Sequence, residues 1–257
     1  MKKLKLSVII PALNEEKNIG EAIRSTLSAF RKYRITGNII VINDGSTDNT
    51  ESIVRNIMKR DKRVKFISHS KPMGIGYSFF EGARRSKNDI VVMFPGDNEN
   101  DPNEALIFFG LLEYVDIVVP FIHNLDVRNR IRRIISSIYR YIINMSFGIN
   151  LNYTNGTVFY RRCILDDVRL NSYGFFYQAE LLVKLIRKGY LYAEVPNFLL
   201  TRANGKSKAT SLKSLARVIK SYLTLLFEIH IKRVESRKGY KKVNPKSVTY
   251  KKHLDYK

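Results

Sequence analysis

Cysteine is nearly absent: Cys163 stands alone among 257 residues, so no disulfide can form within the chain. It is expected as a small buried apolar residue. Met1-Lys2-Lys3-Leu4 carries no secretory pattern, which together with the missing disulfides points to the cytosol. No apolar run reaches the roughly 18 residues that cross a bilayer, so no integral membrane span is expected. There is no internal repeat. No G-x-G-x-x-G follows a strand either, since Gly74-Ile75-Gly76 is followed by Phe79, and a dehydrogenase-type dinucleotide site is excluded. Acidic residues are scarce beside basic ones, 23 Asp+Glu against 45 Lys+Arg, and the formal charge of +22 asks for an anionic partner. Nucleic acid, a membrane surface and phosphorylated substrates all satisfy it.

What is present suffices for a core. At 44% hydrophobic content, the chain can bury one large domain or two fused halves, and whole-chain disorder is excluded. From about Lys5 to Val119, short β-branched runs alternate with helical patterns, the signature of a mostly parallel α/β sheet flanked by helices. Leu6–Ile10 is a first buried strand, broken by Pro11-Ala12-Leu13-Asn14. Asn14, Glu15 and Glu16 suit a helix start, and Ile19, Ala22, Ile23, Leu27 and Phe30 follow at helical spacing. Further strands are expected at Ile39–Ile42, Val64–Ile67 and Ile90–Phe94. Three of these four strands end in polar, turn-forming and mostly acidic segments. In an open α/β sheet ligands sit beyond the carboxyl ends of strands, so these segments are the candidate site.

The second half differs. After a strand at Asp116–Pro120, a basic amphipathic helix is expected from about Val127 to Phe147, with Arg128, Arg130, Arg132, Arg133 and Arg140 among isoleucines and tyrosines. Such a helix suits an anionic membrane surface. A helix from about Gln178 to Lys188, a strand at Tyr190–Pro196 and a last amphipathic helix through Leu212–Ile229 follow. Beyond about Val234 the Lys-, Arg- and Tyr-rich residues lack aliphatic periodicity and are expected to be a disordered or partner-ordered tail. The expected organisation is one domain over 1–210, in halves to 105 and from 106, then the helix and tail over 211–257.

One chemistry that acidic strand ends of this kind suit is sugar transfer from a nucleoside diphosphate, which needs a grip on base and ribose, neutralisation of the leaving diphosphate, and an acceptor oxygen held in line. Strand-end carboxylates serve the first two, by accepting hydrogen bonds from base edges and ribose hydroxyls and by binding a divalent cation through oxygen. Asp44 is the candidate for base or ribose and Asp97 for the metal.

The ordered motifs carry a family likeness. A strand, then Pro11-Ala12-Leu13-Asn14-Glu15, Val41-Ile42-Asn43-Asp44-Gly45-Ser46-Thr47-Asp48, Gly74-x-Gly76 and Gly96-Asp97-Asn98-Glu99, resembles the family-2 glycosyltransferases of GT-A fold. The dolichyl- or polyprenyl-phosphate sugar transferases are the most similar group, over about residues 5 to 210. The resemblance implies that Pro11, Leu13, Glu15 and Asp44 line a nucleoside pocket with Gly96 beside it. Asp97 matches the last aspartate of the Asp-x-Asp signature that binds Mg²⁺ or Mn²⁺. Pro95 takes the place of the first aspartate, leaving Asp97 to act with Glu99, which stands where relatives commonly carry glutamine. Asn155–Arg162 resembles the family's segment following the interface helix and Phe176–Leu182 its acceptor-side motif, with Glu180 at a helix mouth. Thr201–Lys208 resembles the Arg-x-x-Gly-x-Ser-Lys loop, which implies phosphate contacts from Arg202, Ser207 and Lys208.

The implied reaction is an inverting displacement at the anomeric carbon, with the metal and Arg202 or Lys208 stabilising the departing diphosphate. A lipid-phosphate acceptor brings its own anionic oxygen. A saccharide hydroxyl would need a base, for which Glu180 is the candidate. Membrane attachment is expected to be peripheral, at the cytoplasmic face. The rival readings are a nucleic-acid-binding module, opposed by the clustered acidic strand ends, and a nucleotidyltransferase. The latter would carry a glycine- and basic-rich loop where Pro11-Ala12-Leu13-Asn14-Glu15 stands.

Overall fold

A computed structural model describes residues 3–124, 130–198, 212–232 and 243–255. In chain order its elements begin with β1 (Leu6–Ala12), α1 (Ile19–Lys32), β2 (Gly37–Asn43), α2 (Thr50–Arg60), β3 (Val64–Ser68), α3 (Ile75–Arg85), β4 (Ile90–Met93) and α4 (Pro102–Leu106). They continue with β5 (Ile117–Ile122), α5 (Arg130–Phe147), β6 (Phe159–Arg161), α6 (Tyr177–Arg187), β7 (Tyr192–Asn197), α7 (Leu212–His230) and α8 (Val248–Asp255). Two compact units divide the chain, one of residues 1–110 and 157–162, the other of 111–156 and 163–257.

In the first unit the strand order is β3-β2-β1-β4-β6. β1 pairs in parallel with β2 from Leu6↔Gly37 to Ala12↔Asn43 and with β4 from Leu6↔Ile90 to Ile9↔Met93, while β6 runs antiparallel to β4. The mostly parallel α/β architecture is therefore as the alternating pattern predicts. Val8, Ile9, Ile10, Ile39 to Ile42 and Ile90 to Val92 are buried, as a sheet covered by helices requires. Ser7 interrupts the apolar run because it joins a polar knot: Ser7 Oγ donates to Asn38 Oδ1 at 2.6 Å and accepts from Ser86 Oγ and Asn88 Nδ2.

Two local expectations fail here. β1 does not break at Pro11 but runs through it to Ala12. Proline costs no ladder bond at this point, because β4 has already ended and only the Pro11 carbonyl is used there, accepting from Gly96 N at 3.1 Å. Helix α1 does not start at Asn14–Glu16. It begins at Ile19 after Asn18, and Asn14 takes a left-handed φ of 58° in a turn.

In the second unit β5 and β7 pair in parallel from Ile117↔Tyr192 to Ile122↔Asn197. α6 is buried from Tyr177 to Leu185, Lys184 included, so it is a core helix rather than a surface one. α5 and α7 pack together through a Ser146–Tyr222 hydroxyl bond of 2.7 Å and the Phe147–Tyr222 ring contact, with Ile143, Phe147, Leu225 and Ile229 buried. Of the expected helix from Val127, residues 127–129 lie outside the described residues.

The tail expected to be disordered is, over 243–255, ordered. Asp116, fully buried, accepts from Val248 N at 2.7 Å and Thr249 N at 2.9 Å, capping α8 at its start. Thr249 Oγ1 in turn accepts from Leu191 N. Polar capping, not an aliphatic stripe, docks this segment, which is why periodicity missed it. Residues 234–242 of that tail lie outside the described residues. Cys163 is only half-buried, in the 3₁₀ turn Arg162–Asp167, where its carbonyl accepts from Asn244.

Candidate functional site

Because β1, β2 and β4 are parallel, their carboxyl ends share one edge of the first unit, and the loops after Ala12, Asn43 and Met93 meet there. The first two loops are stitched together. Asn14 N donates to Ser46 Oγ at 2.9 Å and Asn14 Oδ1 accepts from Thr47 N at 2.8 Å. Glu15 N donates to Thr50 Oγ1, and Glu16 N to Asp48 Oδ2. Asp48 Oδ1 also accepts from Thr50 N at 3.0 Å, at the start of α2. Burial opposes ionisation of Asp48, but the hydrogen bonds from Thr50 and Glu16 outweigh it and lower its pKa. Pro11 and Leu13 are half-buried on the β1 side of this knot. Glu15 Oε2 accepts from Asn18 Nδ2 at 3.0 Å.

Asn43 folds the next turn, its Oδ1 accepting from Ser46 N at 3.1 Å and its Nδ2 donating to Ser68 Oγ at 3.0 Å. Gly45 holds φ +79° with Lys71 C only 2.8 Å from where a Cβ would stand, so a side chain there is excluded both sterically and conformationally. Asp44, between them, is 5% exposed. Its Oδ1 accepts from Met73 N at 2.8 Å and lies 2.7 Å from His69 Nδ1, and its Oδ2 accepts from Gly74 N at 2.9 Å. These three bonds leave about one of the four acceptor positions of a carboxylate.

His69 extends the cluster, its Nε2 lying 2.7 Å from Glu81 Oε2 on α3. Burial disfavours the imidazolium, but the hydrogen bonds to Asp44 and Glu81 prevail and raise its pKa above 6.5. Neither His69 nor Glu81 was singled out from sequence. A histidine at the end of a strand and a glutamate two turns into a helix carry no spacing signal, because the contact between them is tertiary.

At the third strand end, Gly96 N binds the Pro11 carbonyl, and a Cβ on Gly96 would stand 3.0 Å from that oxygen, so the two loops approach as closely as glycine allows. Asp97 follows, half-buried, with Oδ1 accepting from Glu99 N at 3.2 Å across the left-handed Asn98. Among the described residues no group of three or more His, Cys, Asp and Glu side chains forms a metal cage. A strand-end carboxylate of this kind fits a hydrated Mg²⁺ or Mn²⁺ that draws its other ligands from a diphosphate and water.

The structure thus brings Pro11, Leu13, Glu15, Asp44, Gly96 and Asp97 to one sheet edge, with Glu99 next to it. Arg202, Ser207 and Lys208 lie outside the described residues. Glu180 is in the second unit, in the first turn of α6 as expected, and is 1% exposed. Its Oε1 accepts from Asn171 N at 2.8 Å and its Oε2 from Ser172 N at 2.9 Å, while Lys184 Nζ lies 2.9 Å from Oε1. Lys184 also reaches Glu228 and the Arg169 carbonyl. Burial works against the ammonium, and the charges and hydrogen bonds of Glu180 and Glu228 still raise its pKa. With both oxygens engaged, Glu180 anchors the 171–172 segment from the first turn of α6.

Residues 7–169, more than half of the chain, match Glycosyl transferase family 2. The chain belongs to that family. Among its relatives are dodecaprenyl-phosphate galacturonate synthase of Rhizobium johnstonii, 25% identical over 174 residues, 66% of this chain and 52% of the relative. Undecaprenyl-phosphate 4-deoxy-4-formamido-L-arabinose transferase of Pseudomonas fluorescens is 26% identical over 63% of this chain and 48% of its own. The chain thus spans about half the length of these curated relatives. In fold it is similar to glucosyl-3-phosphoglycerate synthase of Mycobacterium tuberculosis, solved with Mg²⁺ and uridine diphosphate. The TM-score is 0.68 at 21% identity, covering 87% of this chain and 79% of that one. The family's GT-A fold is the one the motif order led us to expect, and the strand-end loops described above all fall inside the matched segment.

Proposed function

We propose that this chain is an inverting, divalent-metal-dependent glycosyltransferase that moves a sugar from a nucleoside-diphosphate sugar to a polyprenyl or dolichyl phosphate at a membrane surface. The observation that carries the reading is the edge where Asp44 and Asp97 stand on the loops after β2 and β4, on either side of β1, in a family-2 sheet. The names of the relatives, which act on lipid phosphates, and the diphosphate and metal in the structural neighbour support it.

In this reading Pro11, Leu13 and Glu15 line the nucleoside with Asp44, whose remaining acceptor position takes a base or ribose donor. Asp97, with Glu99, holds Mg²⁺ or Mn²⁺. When bound, the cation neutralises charge on the diphosphate. Arg202, Ser207 and Lys208 supply cationic and hydroxyl contacts to phosphate oxygens. The lipid-phosphate oxygen attacks the anomeric carbon from the face opposite the diphosphate. The new carbon–oxygen bond forms as the old one breaks, and the electron pair leaves on the diphosphate. An attacking oxygen that is already anionic needs no base. The engaged carboxylate of Glu180 argues for this acceptor over a saccharide hydroxyl.

Exposed apolar side chains of the second unit support peripheral attachment to a membrane surface. α5 exposes Ile134, Ile135, Ile138, Tyr141 and Met145, and α7 exposes Leu215, Ile219, Leu223 and Phe227. An open groove of about 620 Å³ along α7 is lined by Ile219, Leu223 and Phe227 with Lys220. Apolar side chains flanked by cations suit the boundary of an anionic bilayer. No helix among the described residues is long and apolar enough to cross a membrane.

The test is a thermal-shift panel of UDP-, GDP- and TDP-sugars with Mn²⁺, followed by transfer of labelled sugar from the stabilising donor to polyprenyl phosphate in vesicles. One donor should raise the melting temperature by mass action and yield a labelled lipid. Stabilisation by none of them, with tight and salt-resistant binding to nucleic acid instead, would overturn the proposal.

A further inference from the structure

His69 is a half-buried titratable side chain in the strand-end cluster to which the proposed reaction gives no role. Its backbone N–H donates to the Asn43 carbonyl at 2.9 Å, which fixes the end of β3 against the end of β2. From β2, the Asp44 carboxylate faces Nδ1. From α3, the Glu81 carboxylate faces Nε2, and the Tyr77 ring meets the imidazole edge-on with centroids 5.5 Å apart. Behind Glu81 stands Arg85, 3.3 Å away. With His69 protonated, charges of alternating sign run from Asp44 through His69 and Glu81 to Arg85. Met73 N and Gly74 N donate to the same Asp44 carboxylate, and Gly74, with φ 101°, leads directly into α3.

We propose that His69 is a positioning residue for the nucleoside-diphosphate site, a double donor that clamps Asp44 to the 73–74 turn and to α3. The inference rests on the nucleotide-sugar reading given above. A neutral imidazole has one donor and one acceptor nitrogen. Between two carboxylates it would turn a lone pair on one of them, so only the imidazolium satisfies both contacts. Loss of the proton weakens the hold on Asp44 or on Glu81, and in either case the turn that presents Asp44 loosens. Nucleotide affinity is therefore coupled to the His69 proton. Because the ring's pKa is raised by folding, the clamp's contribution to stability is complete below the ordinary imidazole value of 6.5 and is lost as pH rises through the raised one.

Two measurements on the full chain test this. The first follows the His69 ring nitrogens by NMR against pH. They should both carry protons beyond the ordinary imidazole range, and Glu81→Gln should shift the titration to lower pH. The second measures binding of UDP and of GDP with Mn²⁺ by calorimetry from about pH 6 to about pH 9. Affinity of the natural chain should fall about fivefold through the His69 titration. His69→Gln should bind weakly throughout, with no inflection. Glu81→Gln, which keeps the Asp44 contact, should retain the inflection at lower pH. An inflection that survives in His69→Gln, or a ring that titrates at or below the ordinary value, overturns the clamp. If the ring titrates as stated but neither nucleotide binds at any pH, the nucleotide-sugar reading fails, and the coupling with it.

Discussion

Two buried carboxylates, Asp44 in the first unit and Glu180 in the second, look alike in exposure and opposite in construction. Asp44 sits past the end of β2 and accepts from two backbone amides and a histidine contributed by separate segments, an arrangement that leaves acceptor capacity at the edge of a sheet. Glu180 sits within the buried helix α6, its oxygens taken by Asn171 N, Ser172 N and Lys184. Burial alone therefore does not mark a functional acid. What separates the two is whether the partners exhaust the carboxylate and whether loops or a packed helix surround it.

The largest effect that would sharpen this contrast belongs to the strand-end edge. Asp97→Ala should lower turnover on the order of 10²–10³-fold with the melting temperature little changed, because charge stabilisation of the leaving group is removed while Asp97 supports no core. Unchanged turnover in the presence of metal would remove Asp97 from the site.

Glu180→Ala should do the reverse, destabilising the fold by about 3 kcal/mol by leaving Lys184 buried with one carboxylate fewer. Glu180→Gln should recover part of it. Chemical denaturation measures both. A stable Glu180→Ala chain that had lost turnover would return Glu180 to catalysis and erase the distinction.

A smaller change is expected on the exposed face of α7. Leu223→Ser with Phe227→Ser should weaken binding to anionic vesicles roughly tenfold without altering donor binding, since both side chains are half-exposed and their loss removes apolar area from the bilayer contact. Flotation at equal lipid concentration decides it.

The smallest effect is at Asp48, which caps the start of α2. Its lowered pKa makes its contribution present above the ordinary carboxylate range and lost as pH falls through the depressed value. Asp48→Ala should cost about 1 kcal/mol at neutral pH and less in acid. A pH-independent difference would show that the cap is not electrostatic.

Much of the first unit was legible because each of its features is local. β-branched runs such as Ile39–Ile42 form strands wherever a sheet can cover them, and an apolar stripe such as Ile19, Ala22, Ile23, Leu27 and Phe30 defines a helix face by periodicity alone. The turn Asn43–Ser46 was legible for the same reason, since asparagine, aspartate and glycine set a backbone that few other residues accept. Errors arose where distant residues decide. Asn14–Glu16 have the composition of a helix start, yet they spend their amides and side chains on Ser46, Thr47, Asp48 and Thr50 across the loop. Residues 243–255 lack an apolar stripe and are ordered by Asp116, more than a hundred positions upstream.

Sequence by itself thus determined the alternating α/β architecture, the acidic and glycine-bearing strand ends, the basic amphipathic helices and, through motif order, membership of a glycosyltransferase family. Hydrophobic period and turn chemistry are properties of a few neighbouring residues, and they survive in one dimension. Only the tertiary structure decided that Glu180 is sealed inside the second unit, that the C-terminal segment 243–255 is capped and ordered, and that Asp44 is held by His69 and the amides of Met73 and Gly74. A hydrogen bond acts over about 3 Å in space, and no spacing in the chain records which residues folding brings that close.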